Sequence, residues 1–455
     1  MLQVKAAMLF FALCVPVLAD LAAGQQAYNR GDYTTALNEF LPLAKQGDAV
    51  AQAMLGAMYE DGQGVQQDDK EAARWYRLAA DQGSALAQVN IGAMYLKGQG
   101  VAQDYNEALR WLRLAAVQKG NPAAQRAAQF NLAVMYRKGQ GVQQDDKEAA
   151  KWYRLSADQG NASAQLDLGL MYYQGQGVAQ DYKEAMRWLR MVAEQGRNAV
   201  VQNMLALMYQ EGQGVPQDYK EAVRWSRMAA DQGDAVAQFT LGLKYQNGQG
   251  VQQDDKEAAN WLRLAANQGY AVAQLSLGII YQKGQGVPQD YKEAVRWLRM
   301  AAQQGDVYAQ NTLGITYEEG HGVPQDYKEA VRWHRMAADQ GDAFAQFKLG
   351  VAYGEGQGVP QDYKEAVRWL RMAAEQGNAS AQASLGAMYD KGQGVPQDYL
   401  QAHMWFNLAG ASGEASAINN RDIVARKMTP DQIAEAQRLA RQWKPKSSPQ
   451  PTRNH

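Results

Sequence analysis

Cysteine is nearly missing from this chain: of 455 residues the only one is Cys14, close to the N-terminus. Once a leader containing it is removed, no thiol remains, which excludes a disulfide framework, a thiolate metal ligand and a cysteine nucleophile. Histidine is scarce too, and His321, His334, His403 and His455 stand at no metal-ligand spacing. Charge of neither sign is in excess, with 46 Lys+Arg against 47 Asp+Glu. No global field therefore gathers nucleic acid or anionic lipid. The one long apolar run, Ala6 to Leu18, is shorter than the ~20 residues of a membrane span. Phenylalanine contributes only 8 residues, whereas glycine supplies 43 and tryptophan 11. With 46% hydrophobic and 20% charged residues the chain has the balance of a folded protein. At roughly 150 residues per domain its length suggests three globular domains, an estimate that the internal repeats displace.

The N-terminus has the layout of an export signal. Lys5 precedes the apolar run, and Val17-Leu18-Ala19 forms a small-x-small cleavage site before Asp20. Bulky Leu13 ahead of Cys14 argues against a lipoprotein. Residues 1–19 are therefore expected to be a signal peptide and the mature chain to be periplasmic or secreted, with no integral membrane segment.

Tryptophan marks the period. Trp75, Trp111, Trp152, Trp188, Trp225, Trp261, Trp297, Trp333, Trp369 and Trp405 are 36 residues apart, except for intervals of 41 and 37 explained by insertions around Lys119–Ala123 and at Arg197. A Tyr stands 16 residues before each, from Tyr59 to Tyr389. Within a unit, Ala51, Leu55, Gly56 and Tyr59 recur at helical spacing and predict a first helix. Gly62-Gln63-Gly64 ends it, and Val65 is expected to plug the turn into the core. Asp68 followed by Glu71 predicts a capping-box-like start of a second helix, with Ala72, Trp75, Leu78 and Ala79 inward and Arg74, Arg77 and Asp81 outward. One such hairpin cannot bury its apolar face alone, so neighbours must stack.

The pattern Ala51-Gln52-x-x-Leu55-Gly56-x-Met58-Tyr59-x-x-Gly62-x-Gly64-Val65-x-x-Asp68, continuing through Glu71-Ala72 and Trp75 to Gln82-Gly83, resembles the Sel-one-like repeat (SLR) family, relatives of tetratricopeptide repeats. The resemblance covers about residues 25 to 411. It implies an all-α, right-handed superhelical solenoid of about ten 36-residue helix-turn-helix repeats, acting as a non-catalytic scaffold for other proteins. Many bacterial members are similar in being exported for envelope or host interactions. A cysteine-rich branch carries a disulfide in each repeat, and this chain departs from it. The expected layout is a degenerate repeat or cap over 20–48 and ten repeats over 49–411. A helical cap is expected over 412–443 and a flexible tail over 444–455. In the cap, Thr429-Pro430-Asp431-Gln432 predicts a boxed helix start, and Ile433, Ala436, Leu439, Ala440 and Trp443 form an apolar stripe.

No residues are arranged for chemistry. The Gly-Gln-Gly loops lack the strand, third glycine or Lys-Ser/Thr of a phosphate cradle. The acids at Asp68 and its counterparts are explained as caps. Ser-x-x-Lys, His-Glu-x-x-His and Gly-x-Ser-x-Gly do not occur. No catalytic residue, cofactor or metal is assigned. Trp at one register reads as hairpin core, and the paired Arg of the second helix as a solvated face of local ion pairs.

Specificity in such a stack belongs to positions that differ between repeats. Five residues before the Tyr these include Asn90, Asn131, Asp167, Thr240, Ser276, Thr312 and Lys348. Two residues after it they include Lys97, Lys138, Gln174, Asn247, Lys283, Glu319 and Glu355. Both sets fall near one edge of the first helix. Either they line a concave groove for an extended peptide or partner helix, or they are unconstrained solvent positions. The function expected is a monomeric, exported scaffold binding a protein or peptide and no nucleic acid. The alternative is a soluble hydrolase or ligand-binding module without a recognisable motif.

Overall fold

The computed structural model describes residues 20–196 and 198–446. The expected signal peptide and residues 447–455 of the expected tail lie outside the described residues. Among the described residues there are 24 α-helices and no strand, and no helix is long and apolar enough to cross a membrane. Contacts divide the chain into two compact units, meeting in sequence at Asp218 and Tyr219, so each unit is described by itself.

The first unit opens with Leu21–Asn29 and Tyr33–Lys45, the degenerate pair, around buried Ala27, Ala36 and Phe40. Four hairpins follow, beginning with Ala49–Asp61 and Asp69–Asp81 and ending with Ala162–Gln174 and Tyr182–Gln195; the helix Ala199–Glu211 closes the unit. The second unit starts with Tyr219–Asp231 and runs through five hairpins, from Ala235–Asn247 with Asp255–Asn267 to Ala379–Lys391 with Tyr399–Ala411. Two further helices, Ala415–Ala425 and Pro430–Gln442, finish it. Ala436 and Ala440 of the last helix bury against Leu385 and Trp405. Thr429 and Gln432 make the reciprocal capping box expected of them.

Elsewhere the box is only half formed. Asp68 accepts from the backbone N–H of Lys70 and Glu71 at 2.9 and 3.2 Å. Its own N–H is already spent on the Tyr59 carbonyl at 2.9 Å, so no donor is left for Glu71. That carboxylate instead pairs with Arg74 at 3.4 Å. Leu78, expected inward, is 40% exposed. The valines of the turns are half-buried against the core, as expected of Val65.

Two glycines in each turn have different tasks. Gly284, at φ +67°, ends the helix Ala271–Lys283 in the left-handed conformation. Gly286, at φ +69°, lies against the preceding hairpin, where an added Cβ would stand 2.0 Å from the Asp255 carbonyl oxygen. A third glycine lets the two helices of a hairpin touch: a Cβ on Gly278 would lie 2.7 Å from Leu298 Cγ.

A ladder of buried glutamines joins successive hairpins. Gln274 donates to the Ala266 carbonyl of the preceding helix at 3.1 Å and accepts from Gln304, at the end of its own hairpin, at 2.8 Å. The same two bonds recur at Gln52, Gln88, Gln238, Gln310 and Gln346. Helix C-termini leave carbonyls without intrahelical donors, and the ladder adds a side-chain donor to one that also accepts the N–H of the following glycine, as Ala266 does from Gly269 at 3.0 Å. Gln274→Leu removes both bonds while the Ala266 carbonyl keeps the Gly269 N–H, and at about 0.5–1.5 kcal/mol per bond it is expected to cost about 1–3 kcal/mol, read as a shift of the urea midpoint. An unchanged midpoint would leave the ladder without energetic weight.

Candidate partner-binding edge

The first helix of each repeat presents the variable residues. Positions five before and two after the Tyr are seven residues apart, two helical turns, and so share a face. Among the described residues the two sets differ in burial. Asn90, Asn131, Asp167, Thr240, Ser276, Thr312 and Lys348 are half-buried, whereas Lys97, Lys138, Gln174, Asn247, Lys283, Glu319 and Glu355 are exposed near the helix ends. Asn90 through Gln174 belong to the first unit and Thr240 through Glu355 to the second.

Much of the half-buried set is used inside the stack. Arg137, which follows a repeat's Tyr, holds Asp167 of the next repeat at 3.1 Å. Glu318 occupies the same position and holds Lys348 at 2.6 Å. Thr240, Ser276 and Thr312 turn their hydroxyls back to helix carbonyls four residues earlier, at 2.8, 2.9 and 2.7 Å. Of the exposed set, Glu319 meets the His321 imidazole at 3.0 Å.

A third residue completes these pairs from the second helix, at the position after the Trp. Tyr76 donates its hydroxyl to Glu60 at 2.8 Å. Burial, followed by the bond to Glu60, raises its phenol pKa. Tyr153 sits between Arg137 and Asp167; burial first, then the Asp167 charge, push its phenol up to about 12. His334, buried, places Nε2 3.3 Å from Glu318 Oε1. Burial of Glu318 raises its carboxyl pKa, but His334 and Lys348 outweigh this and the net shift is downward. Beside Glu318 and Lys348 lies a cavity of about 200 Å³, also lined by Tyr327 and Gln357.

These three-residue groups were not foreseen, yet their signal is in the sequence. A charged residue follows the Tyr at Glu60, Arg137, Glu318 and Asp390. In the repeats of Glu60, Arg137 and Glu318 the residue after the Trp is Tyr or His. Asp390 is met at 2.8 Å by Lys427, in the turn between the two terminal helices. Reversing Arg137 or Asp167 alone is expected to cost about 1 kcal/mol, and exchanging both to recover most of it, in a double-mutant cycle by urea denaturation. Additive losses would show that the pair does not couple the repeats.

The paired arginines of the second helix do more than face solvent. The first of each pair lies over its neighbouring Trp, as Arg110 does over Trp111 with 4.8 Å to the ring centre. The second reaches the Tyr hydroxyl of the next repeat: Arg77 to Tyr95 at 3.2 Å, Arg154 to Tyr172 at 2.6 Å, Arg299 to Tyr317 at 2.7 Å. Trp111, Trp188 and Trp225 are buried, and Trp152 and Trp261 half-buried. Among the described residues no group of three or more His, Cys, Asp or Glu is placed to hold a metal ion.

Comparison with known proteins matches the Sel1 repeat family ten times, from residues 49–84 through to 379–414. Comparison with curated proteins finds no match. Among solved structures, the chain is similar to a protective antigen with an SLR fold present in uropathogenic Escherichia coli strains. The two share 37% identity over 93% of this chain and 90% of that one, with a TM-score of 0.77. A Sel1 repeat protein from Oxalobacter formigenes is 34% identical over 76% of this chain and 88% of its own, with a TM-score of 0.53. With its repeats matched from residue 49 to residue 414, this chain belongs to the Sel1 repeat family.

Proposed function

We propose that the chain is an exported, non-catalytic scaffold that captures a peptide or protein along the variable edge of its first helices. Sel1 repeat proteins generally serve as protein-interaction scaffolds, and ten repeats in one chain extend such a surface. The observation that carries the reading is the exposed set at the helix ends, headed by Lys97, Lys138 and Lys283, which changes from repeat to repeat while the stacking residues stay the same. The half-buried set contributes indirectly, because Asp167 and Lys348 fix how neighbouring helices meet. Export is supported by the N-terminal apolar run and its cleavage pattern. The similar protein from uropathogenic Escherichia coli is a protective antigen, a property suited to an exported protein, and a role in envelope assembly or host contact is proposed for this chain.

Reversing Lys97, Lys138 and Lys283 to Glu together is expected to weaken crosslinking capture of the native partner by about tenfold or more, since rim charges set association and its salt dependence. The same preparation reads the mature N-terminus, expected at Asp20. Capture of every partner at the original level would sink the edge as the binding surface.

A further inference from the structure

A second surface lies on another side of the second unit, where each second helix ends and the next first helix begins. Met336 and Met372 remain 37% and 38% exposed there, Phe344 38% and Tyr308 73%. Two depressions cut this edge, of about 430 and 560 Å³, and they share Gln340, Gly341 and Gln376, so their floors are continuous. Together they cross the turns at Tyr308, at Gly341 and at Gly377, three successive repeats.

One end of this groove already holds a piece of the chain. After the last helix, Trp443 packs edge-on against Trp405, with 6.4 Å between ring centres. A Cβ added to Gly377 would find Pro445 at 3.8 Å and Trp443 at 3.9 Å. Lys446 donates its N–H to the Glu375 carbonyl and its ammonium to the Glu375 carboxylate, both at 2.8 Å. The start of the segment expected to be a flexible tail is therefore fastened to the repeats, at the mouth of the first depression.

We propose that the groove is a site for an extended, proline-bearing, basic peptide, and that its occupant is the chain's own segment 447–455. Pro449 and Pro451 disfavour helix and sheet and favour the polyproline conformation, at about 3.1 Å per residue. Nine residues then reach about 28 Å from Lys446, enough to span the two steps of about 10 Å that separate three successive helix-pair layers. Aromatic-lined grooves take proline-rich segments because the rings pack on the pyrrolidines of a pre-extended backbone; Tyr308 and Phe344 are such rings. Charge agrees as well: Glu375 already holds Lys446, Asp339 lines the same depression, and the segment adds Arg453. Arg368, also in that depression, is paired with Glu365 at 3.0 Å.

A photo-crosslinking phenylalanine analogue in place of the exposed Tyr308 in the full chain tests this. Mixed light- and heavy-isotope protein is irradiated and digested, and the crosslinked peptides are identified by mass spectrometry. Crosslinks to 447–455 within the same chain are expected. Their absence, or crosslinks only between light and heavy chains or to another protein, would overturn the assignment of occupant. In an independent readout, the pair Tyr308→Ala and Phe344→Ala is expected to speed tryptic cleavage after Arg453 by about fivefold or more, because local release exposes the bond. An unchanged cleavage rate would also overturn it. Neither readout depends on Lys97, Lys138 or Lys283, so either edge can fail alone.

Discussion

Gly286→Ala is expected to lower the stability of the second unit by roughly 3–5 kcal/mol. Two effects combine. At φ +69° a residue with a Cβ is strained by about 1–2 kcal/mol. The new carbon would also fall 2.0 Å from the Asp255 carbonyl oxygen, inside the contact distance of any pair of non-bonded heavy atoms. The obstructing atom is backbone at the start of the helix Asp255–Asn267, so no rotamer change clears it. The turn must instead move away from the preceding hairpin and open the seam between repeats. Gly305 is the internal control: its φ is +93° and an added Cβ meets nothing within 4 Å, so Gly305→Ala should show the conformational cost alone, about 1–2 kcal/mol. Urea denaturation of the two variants separates the contributions. Equal losses at Gly286 and Gly305 would remove close stacking as the reason for the second glycine.

Leu277→Ala is expected to cost about 2–5 kcal/mol through lost burial and the cavity left behind. Leu277 is fully buried among Ala265, Ala266, Ala273 and Trp297. Its fully buried neighbours are alanines and one rigid indole, which have little freedom to fill the space of the missing atoms. The loss should be concentrated at the seam of the helices Asp255–Asn267 and Ala271–Lys283, because each hairpin contacts chiefly its neighbours. Faster amide exchange in these two helices, with the terminal helix Pro430–Gln442 unaffected, is the expected pattern. Leu264→Ala is the contrast: with Leu264 46% exposed, its truncation should cost less than about 1 kcal/mol. Similar losses at both positions would contradict the assignment of Leu277 to the core of the stack.

The periodic parts of this molecule were legible because each repeat shows the same solution again. Trp75 and its counterparts, the caps at Asp68 and Asp104, and the helix-ending glycine of each turn could be placed from spacing alone. What escaped the reading was pairwise. Leu78 fits a helical stripe as well as Ala79 does, and only the stacked neighbour decides which of them water reaches. Arg77 has the spacing of a surface residue, but the hydroxyl it holds, that of Tyr95, belongs to another repeat. Glu71 has the spacing of a capping box, but the donor it needs is taken by the Tyr59 carbonyl. At the candidate edge, variation between repeats had two sources that sequence could not separate: exchange of partners within the stack, as for Asp167 and Lys348, and true exposure, as for Lys97 and Lys138.

The glutamine ladder also limits how such a protein can change length. Each rung has a direction, donating toward the preceding hairpin and accepting from its own. Among the described residues two rungs are incomplete. The carbonyl oxygen of Gln165 lacks a donor in the repeat that ends at the insertion near Arg197, and that of Gln382 lacks one where Ser412 replaces the expected Gln. Between Gln238 and Gln346 every rung is complete and the period is constant at 36 residues. Excising or duplicating one whole period there rejoins donor to acceptor in register. Whole-repeat duplication thus preserves the ladder, and so does an insertion between hairpins such as that around Lys119–Ala123, across which Gln129 still donates to the Ala116 carbonyl at 3.2 Å and accepts from Gln159 at 2.7 Å.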